Sequence, residues 1–359
     1  MGIDCKFYMK AKKGKKCKHH IAGGLCNIPD IFLCTEALKR DKINFDIEFF
    51  MRKTHSNSSL NCYGNCLRMY YYRYIKKIVS SSIKWALVQG SVGHKFLEEL
   101  YSDKVLEVHK YFSEISEGLD QDMNKVVVKI YPILHMAKTF FDSGVISVDD
   151  IATYKDSKGK KKRCVEIVKF VEIGGFHFTG YLDMILKNGT IVDHKFLSDD
   201  NEDALKFNNY NQICTYFLAV PEAERFMFNT FLKPKHSLGK TEKPEAFVTR
   251  ICKHIEESQK KRIKQTIFKR SEFDLKGFKK NRELVVKEMC RRVSATPEEL
   301  EARFYQNRSA CSVYGCDYMN ICNGQNHAGN KEFTYLLKEK IETYREKKAE
   351  YLKRQGALI

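Results

Sequence analysis

Apolar positions along this chain recur with two periods, and the change between them marks out its elements. Between Lys84 and Tyr101 they fall at Trp85, Leu87, Val88, Val92, Phe96, Leu97 and Leu100, the spacing of one helix face. Gly90 and Gly93 interrupt that helix, and such glycines ordinarily let another element approach closely. Upstream, Ser58 is a candidate N-cap for a helix through NCYGNCLRMYYYRYI, where Cys62 and Cys66, four apart, would share a face. Residues 103–150 read as mostly helical. From Cys164 to Leu186 the period falls to two: CVEIVKFVEI, then Gly174-Gly175, then FHFTGYLDMIL. A meander of antiparallel strands is the simplest reading. Asn201–Val220 returns to helical spacing, Arg225–Leu232 is one more strand, residues 251–305 read as Lys- and Arg-rich helices, and 331–355 as a highly charged helix. Strands in the middle with helices on either side predict an α/β fold.

The strands carry the first chemistry. Apolar arms flank Asn188-Gly189 in GYLDMILKNGTIVDHK, which predicts a β-hairpin. A two-residue loop would pair Lys187 with Thr190 and put Asp183 and Asp193 on opposite faces. A three-residue loop with Gly189 left-handed pairs Leu186 with Thr190 and sets Asp183 across from Asp193, with Lys195 on the same face. Facing carboxylates need a cation between them. Lysine can serve, and oxygen-seeking Mg²⁺ or Mn²⁺ suits the same pair. The spacing alone fits equally a surface hairpin with scattered charges. Glu166 and Glu172, one strand earlier, are left out of the ligand set.

Charge narrows the partners. Lys and Arg number 63 and Asp and Glu 45, so the 359-residue chain carries +18, which favours a polyanion and above all nucleic acid over an anionic membrane. No run of about 18 apolar residues occurs, so no membrane span is expected. The basic segment 233–244, KPKHSLGKTEKP, is a candidate DNA contact. No GxxxxGK[ST] loop occurs, so unwinding would require a helicase or recombination partner.

Thirteen cysteines without an apolar signal-peptide core read as metal ligands in a reducing compartment, which predicts a cytoplasmic protein. Cys5, Cys17, Cys26 and Cys34 stud a lysine-rich stretch with too few apolar residues for a core, so residues 1–55 read as a zinc-stapled module, in which His19 or His20 could replace a thiolate. Cys311-x4-Cys316-x5-Cys322 can enclose one metal centre but supply three of the four thiolates that a zinc ion or a [4Fe–4S] cluster takes. Cys164, Cys214, Cys252 and Cys290 stand singly and read as buried apolar side chains. The remaining boundaries fall at a central domain, 56–325, and a charged C-terminal helix, 326–359, that is a candidate for oligomer contact.

Asp183 followed by Asp193-x-Lys195 resembles the signature of the PD-(D/E)xK nuclease superfamily. Gly90-x-x-x-His94 upstream, Gln212-x-x-x-Tyr216 downstream and the split cysteine set are similar to its RecB-type branch, which includes the AddB nuclease domain, CRISPR adaptation nucleases and many phage exonucleases. The resemblance spans roughly residues 58–325. It implies a central mixed sheet flanked by helices and stapled by cysteines. It also implies a Mg²⁺- or Mn²⁺-dependent DNA nuclease, an exonuclease acting on single strands or duplex ends in recombination, repair, replication or CRISPR adaptation. His94, Asp183, Asp193 and the His194 carbonyl would hold the metal, Lys195 would act on the attacking water or the phosphate, and Gln212 and Tyr216 would border the site. Cys66, ahead of Arg68 and the tyrosines, would complete a structural [4Fe–4S] site with Cys311, Cys316 and Cys322; Cys62 is the alternative. The rival reading is a non-catalytic nucleic-acid-binding Fe–S or zinc protein on the same fold.

Overall fold

The protein's computed structural model describes residues 54–324, except 77, 81–83, 103–107, 120, 157–158, 200, 294–298, 300–301 and 315, together with residues 3–4, 25–26 and 333–335. In chain order, β1 (Ile3–Asp4) pairs with β2 (Leu25–Cys26), and β3 (Thr54–Ser56) leads into α1 (Asn57–Asn65). The cap of α1 is Ser56, not Ser58: its side chain takes the Ser59 N–H, and Ser59 returns the bond to the Ser56 N–H. Nor does the helix run on. Cys66 is extended, with φ −158° and ψ 117°, and separates α1 from α2 (Leu67–Tyr70), which continues as a π-turn over Tyr71–Ile75. Cys62 and Cys66 therefore do not share a helix face. The predicted zinc ligands Cys5, Cys17 and Cys34, like His19 and His20, lie outside the described residues.

Next come β4 (Ile78–Ser80), α3 (Trp85–Tyr101), α4 (Val108–Leu119) and α5 (Met123–Asp142). A short hairpin, β5 (Thr153–Lys155) and β6 (Lys161–Arg163), precedes β7 (Val165–Ile173), β8 (Phe176–Ile185) and β9 (Ile191–Leu197). Then follow α6 (Glu202–Ala219), β10 (Arg225–Leu232), α7 (Pro244–Glu257), α8 (Gln259–Arg262), β11 (Ile263–Lys269), α9 (Leu275–Val293), α10 (Arg308–Tyr314), α11 (Met319–Cys322) and β12 (Phe333–Tyr335).

Two segments read as helix from sequence are strands. Ile263–Lys269 pairs residue by residue with β10 from Phe231↔Ile263 to Arg225↔Lys269, and Phe333–Tyr335 pairs with β4. Lys and Gln in IKQTIFK favour helix locally, but pairing along all of β10 outweighs that preference. The rest of 331–355 lies outside the described residues.

The described residues form two compact units. One draws on Met1–Ser81, Glu172–Thr179 and Lys276–Ile341, the other on Ser82–Val171 and Gly180–Leu275. In the second, the sheet order is β11-β10-β9-β8, with β10 parallel to β9 and the outer pairs antiparallel. In the first, the opening residues of β8 pair in parallel with β3, Thr54↔His177 to Ser56↔Thr179. The result is a mixed α/β architecture with a central mixed sheet flanked by helices.

Both faces of the sheet in the second unit are covered, so β9 and β10 are buried nearly throughout, polar Asp193, His194, Asn229 and Thr230 included. Alternation then sorts them. His194, Phe196 and Phe231 face α3 and α5, with the Phe196 and Phe231 rings stacked at 4.6 Å and Phe140 edge-on to Phe231 at 5.2 Å. Asp193, Lys195, Phe226 and Phe228 face α6, where Tyr216 and Phe217 meet Phe226 at 6.0 and 6.2 Å. The two glycines of α3 differ. A Cβ on Gly93 would lie 2.4 Å from the Phe196 ring, whereas Gly90 has nothing within 4 Å. Leu87, assigned by spacing to the buried face, is 63% exposed.

Candidate active site

The β8–β9 hairpin turns through the three-residue form. The Leu186 N–H donates to Thr190 O at 2.9 Å, the Gly189 N–H to Leu186 O at 2.9 Å, and Gly189 has φ +79°. Ile185↔Ile191 and Met184↔Val192 set a register in which Asp183 opposes Asp193. At that point a side chain takes over from the ladder: the His194 N–H donates to Asp183 Oδ2 at 2.6 Å.

His94, on α3, reaches the same oxygen, with Nδ1 3.0 Å from Asp183 Oδ2. Glu166, on β7, completes a cluster: one ligand atom each from His94, Glu166 and Asp183 lies within 4.8 Å of the others. Glu166 stands in the left-handed region, φ +48°, the one non-glycine residue with positive φ among those described. That conformation is uncommon for a side-chain-bearing residue and re-aims it relative to the strand.

Asp193, 2% exposed, faces a different set. Its Oδ2 pairs with Lys195 Nζ at 2.8 Å, and its Oδ1 accepts from Gln212 Nε2 at 2.7 Å. Lys195 also donates to Gln212 Oε1 at 3.0 Å. Gln212 Nε2 is 3.1 Å from the Tyr216 hydroxyl, which donates to the Tyr181 carbonyl. Gly180 makes room for this: a Cβ there would meet the Tyr216 ring at 2.6 Å. So α6 locks the lysine and the second acid from one side, while α3 delivers the histidine.

The charges follow from this packing. Burial would lower His94, but the Asp183 charge and hydrogen bond, with Asp193 behind them, raise it to about 9. Burial would raise Asp183, but His94 and the His194 N–H hold it down to about 2. Glu166 is pushed up to about 8, by burial first and then by the Asp183 charge. Asp193 is raised by burial and by Asp183, against the pull of Lys195. The His194 ring is close enough to Asp183 for each to act on the other, but its own burial dominates. It lies parallel to Tyr101 at 6.4 Å with Asn229 Nδ2 3.3 Å from its Nδ1, and burial lowers it to about 4, so it is neutral.

The first unit gathers the other predicted ligands. Cys66 accepts the Asn307 N–H at 3.4 Å, and Cys311 Sγ donates to Asn307 O at 3.7 Å. The Asn307 side chain ties back to Asn65 O at 2.8 Å, and the Arg68 N–H to Tyr305 O at 3.1 Å. Burial raises Cys322 to about 11, with Arg68 opposing and Cys66, Cys316 and Cys311 adding to the rise. Cys316 is likewise raised, by burial and then by Cys311 and Cys66. Cys62 is pushed up to about 12, by burial, with Cys66 and Cys316 adding and Arg73 opposing. Of the single cysteines, Cys164, Cys214 and Cys290 are buried and Cys252 is half-buried.

His94, Asp183, Asp193, Lys195, Gln212 and Tyr216 are thus brought together in one unit. Glu166, passed over in the sequence, joins them. Nothing in CVEIVKF distinguishes its acid from any strand glutamate, because the signal is its backbone conformation.

No curated protein matches this chain. Among solved structures it is similar to "Crystal structure of SSO0001", at 14% identity over 66% of this chain and 96% of that one, with a TM-score of 0.29. The family model described as PD-(D/E)XK nuclease superfamily matches residues 54–323, well over half of the chain. That span runs from the strand that pairs with β8 to the residue after Cys322 and takes in every candidate site side chain described above, and so the chain belongs to the PD-(D/E)XK nuclease superfamily.

Proposed function

We propose that this nuclease is a divalent-cation-dependent deoxyribonuclease of the RecB-type branch, an exonuclease that works from DNA ends. The observation that carries the reading is the donor set His94, Glu166 and Asp183 within 4.8 Å, with Asp193 opposite and Lys195 fixed beside it. The two carboxylates, with the His194 carbonyl that would join them, are hard oxygen donors that fit Mg²⁺ or Mn²⁺, and the borderline His94 imidazole suits Mn²⁺ better than Mg²⁺. Such an ion supplies charge stabilisation at the scissile phosphate and a lowered pKa for a bound water. The chain's own groups do the remainder. Lys195, held by Asp193 and Gln212, presents a cation where negative charge grows on the phosphate. Gln212 spans Asp193, Lys195 and Tyr216, so their geometry is set before substrate arrives.

Cys66, Cys311, Cys316 and Cys322 are assigned to a structural [4Fe–4S] cluster. Cys66 and Cys311 meet the same residue, Cys66 taking the Asn307 N–H and Cys311 donating to the Asn307 carbonyl, which supports Cys66 over Cys62. Cys5, Cys17, Cys26 and Cys34 stay assigned to zinc on sequence grounds, and a helicase or recombination partner would supply unwinding.

End-labelled linear and circular DNA, single- and double-stranded, tests the function. Mg²⁺- or Mn²⁺-dependent loss of linear substrates is expected, abolished by Asp183→Ala, Asp193→Ala or Lys195→Ala. Binding without cleavage under every condition would favour the non-catalytic alternative.

A further inference from the structure

A second feature of the same unit bears on which form of substrate reaches the site, and it rests on the nuclease reading above. A cleft of about 730 Å³ has Glu166 among its lining residues. Its walls carry Lys160, Lys161, Lys162, Arg163 and Lys187, together with one aromatic ring, Tyr154. The β5–β6 register places Tyr154 directly opposite Lys162, so ring and cation share a face of that hairpin. Arg163 is steadied by donating to the Tyr101 carbonyl at 3.1 Å, and Lys162 by Asp156 at 3.1 Å. On the other side the Lys187 N–H donates to Asp150 O at 2.8 Å, which ties the β8–β9 loop to the residues before β5. Arg163 is followed within three residues by Glu166, so the cationic wall and the metal donor lie on one continuous piece of chain.

We infer that this cleft seats a single-stranded DNA segment, its phosphates on Lys160, Lys161, Lys162 and Lys187 and one base against Tyr154, and feeds it to Glu166. Five cations answer Glu98, Asp149 and Glu166 among the lining residues, and Glu98 is itself paired with Lys95 at 2.8 Å. A cationic groove with an aromatic platform is how unpaired strands are held, because a ring stacks on a base only when the base is free of its partner. A duplex shows its phosphates to the lysines but no base face to the ring.

The test measures binding of a labelled single-stranded oligonucleotide, and of the blunt duplex of the same sequence, by fluorescence anisotropy over a KCl series without divalent metal. Lys160→Gln/Lys161→Gln/Lys187→Gln is compared with Lys253→Gln/Lys260→Gln/Lys261→Gln, which removes equal charge from exposed positions outside both the cleft and the basic segment 233–244. Losing three single-strand phosphate contacts lowers the slope of log K against log [salt] by about 2, and only the cleft triple shows it. Tyr154→Ala weakens single-strand binding roughly 5- to 100-fold and leaves the duplex unchanged. Equal losses from both triples, or an equal effect of Tyr154→Ala on both substrates, overturn the inference. The two readings fail separately. Protein that binds as described but never cleaves overturns the nuclease assignment and leaves the cleft. Protein that cleaves while the cleft triple binds like wild type overturns the cleft alone.

Discussion

Gly93→Ala should damage the metal site from a distance, and the same change one turn earlier, Gly90→Ala, should not. Replacing glycine by alanine inside a helix stabilises by about 1 kcal/mol wherever the methyl has room. At Gly90 it has room, with nothing within 4 Å. At Gly93 the methyl would lie 2.4 Å from two carbons of the Phe196 ring, against 3.4 Å or more for an ordinary contact. That ring cannot easily give way, because it is stacked on Phe231 at 4.6 Å and Phe231 is fully buried. The helix must therefore retreat, and 3.4 less 2.4 leaves a displacement near ~1 Å in a helix whose next residue is His94. Overpacking of this kind costs about 1–3 kcal/mol. Set against the helix gain, Gly93→Ala nets a loss of about 0–2 kcal/mol, and Gly90→Ala a gain of about 1 kcal/mol.

Activity should separate the two further. A shift of ~1 Å in a positioning group costs on the order of 10²-fold in rate. His94 Nδ1 now sits 3.0 Å from Asp183 Oδ2, so the same shift takes it out of the donor set. The assays are urea midpoints, Mn²⁺ titration calorimetry and single-turnover cleavage on both variants. Gly93→Ala should lose Mn²⁺ affinity and cleavage while still folding, and Phe196→Leu in the same chain should restore part of both, with a coupling of about 1 kcal/mol or more in the double-mutant cycle. If Gly93→Ala matches Gly90→Ala in midpoint, metal affinity and rate, the argument that α3 is spaced by Phe196 is wrong.

Glu166→Gln should lower Mn²⁺ affinity about as strongly as His94→Ala, since both belong to the donor set; calorimetry showing wild-type affinity for Glu166→Gln would remove it from the site. Cys66→Ser should lose iron and Cys62→Ser keep it, read from the visible spectrum of anaerobically purified protein near ~400 nm and from iron analysis, with about four irons per chain in the parent; zinc without iron in the parent defeats the cluster assignment. His55 is 4% exposed between Phe176 and Phe178, and burial lowers it to about 4. A histidine near 6.5 when unfolded binds its proton more readily there than in the native state, so native stability is retained above pH 6.5 and falls as pH drops toward 4. Between pH 7.5 and 4 that loss is about 3 kcal/mol, and His55→Phe should remove it from the difference in unfolding free energy; equal pH dependence in the two proteins would refute the assignment.

What could be read beforehand, and what could not, divides along the range of the interactions. The hairpin was legible from Asn188-Gly189 between two apolar arms, but its register was not: a left-handed Gly189 serves a two- or a three-residue loop, and only the structure, with Gly189 at φ +79° and Asn188 not left-handed, selects the three-residue turn from which Leu186–Thr190 and Asp183–Asp193 follow by counting back. The partnership of Gln212 with Tyr216 was legible as a helical interval. Ile263–Lys269 was misread because its local preference and its partner disagree, and the partner lies a whole helix away at Arg225–Leu232. Cys66 was placed in a continuous helix because composition allows one; the break there coincides with a contact to Asn307, 241 residues later. Glu166 is the clearest case. Its neighbours in sequence describe an ordinary half-buried strand, and its role depends on a left-handed backbone, on His94 from a helix more than 70 residues earlier and on Asp183 from the next strand. A residue placed by a backbone exception leaves no periodicity to detect, so the acids that obey the strand pattern were found and the one that breaks it was not. The same left-handed backbone that hid Glu166 lets a strand that would otherwise present its acid along the pleat bring it beside His94 and Asp183.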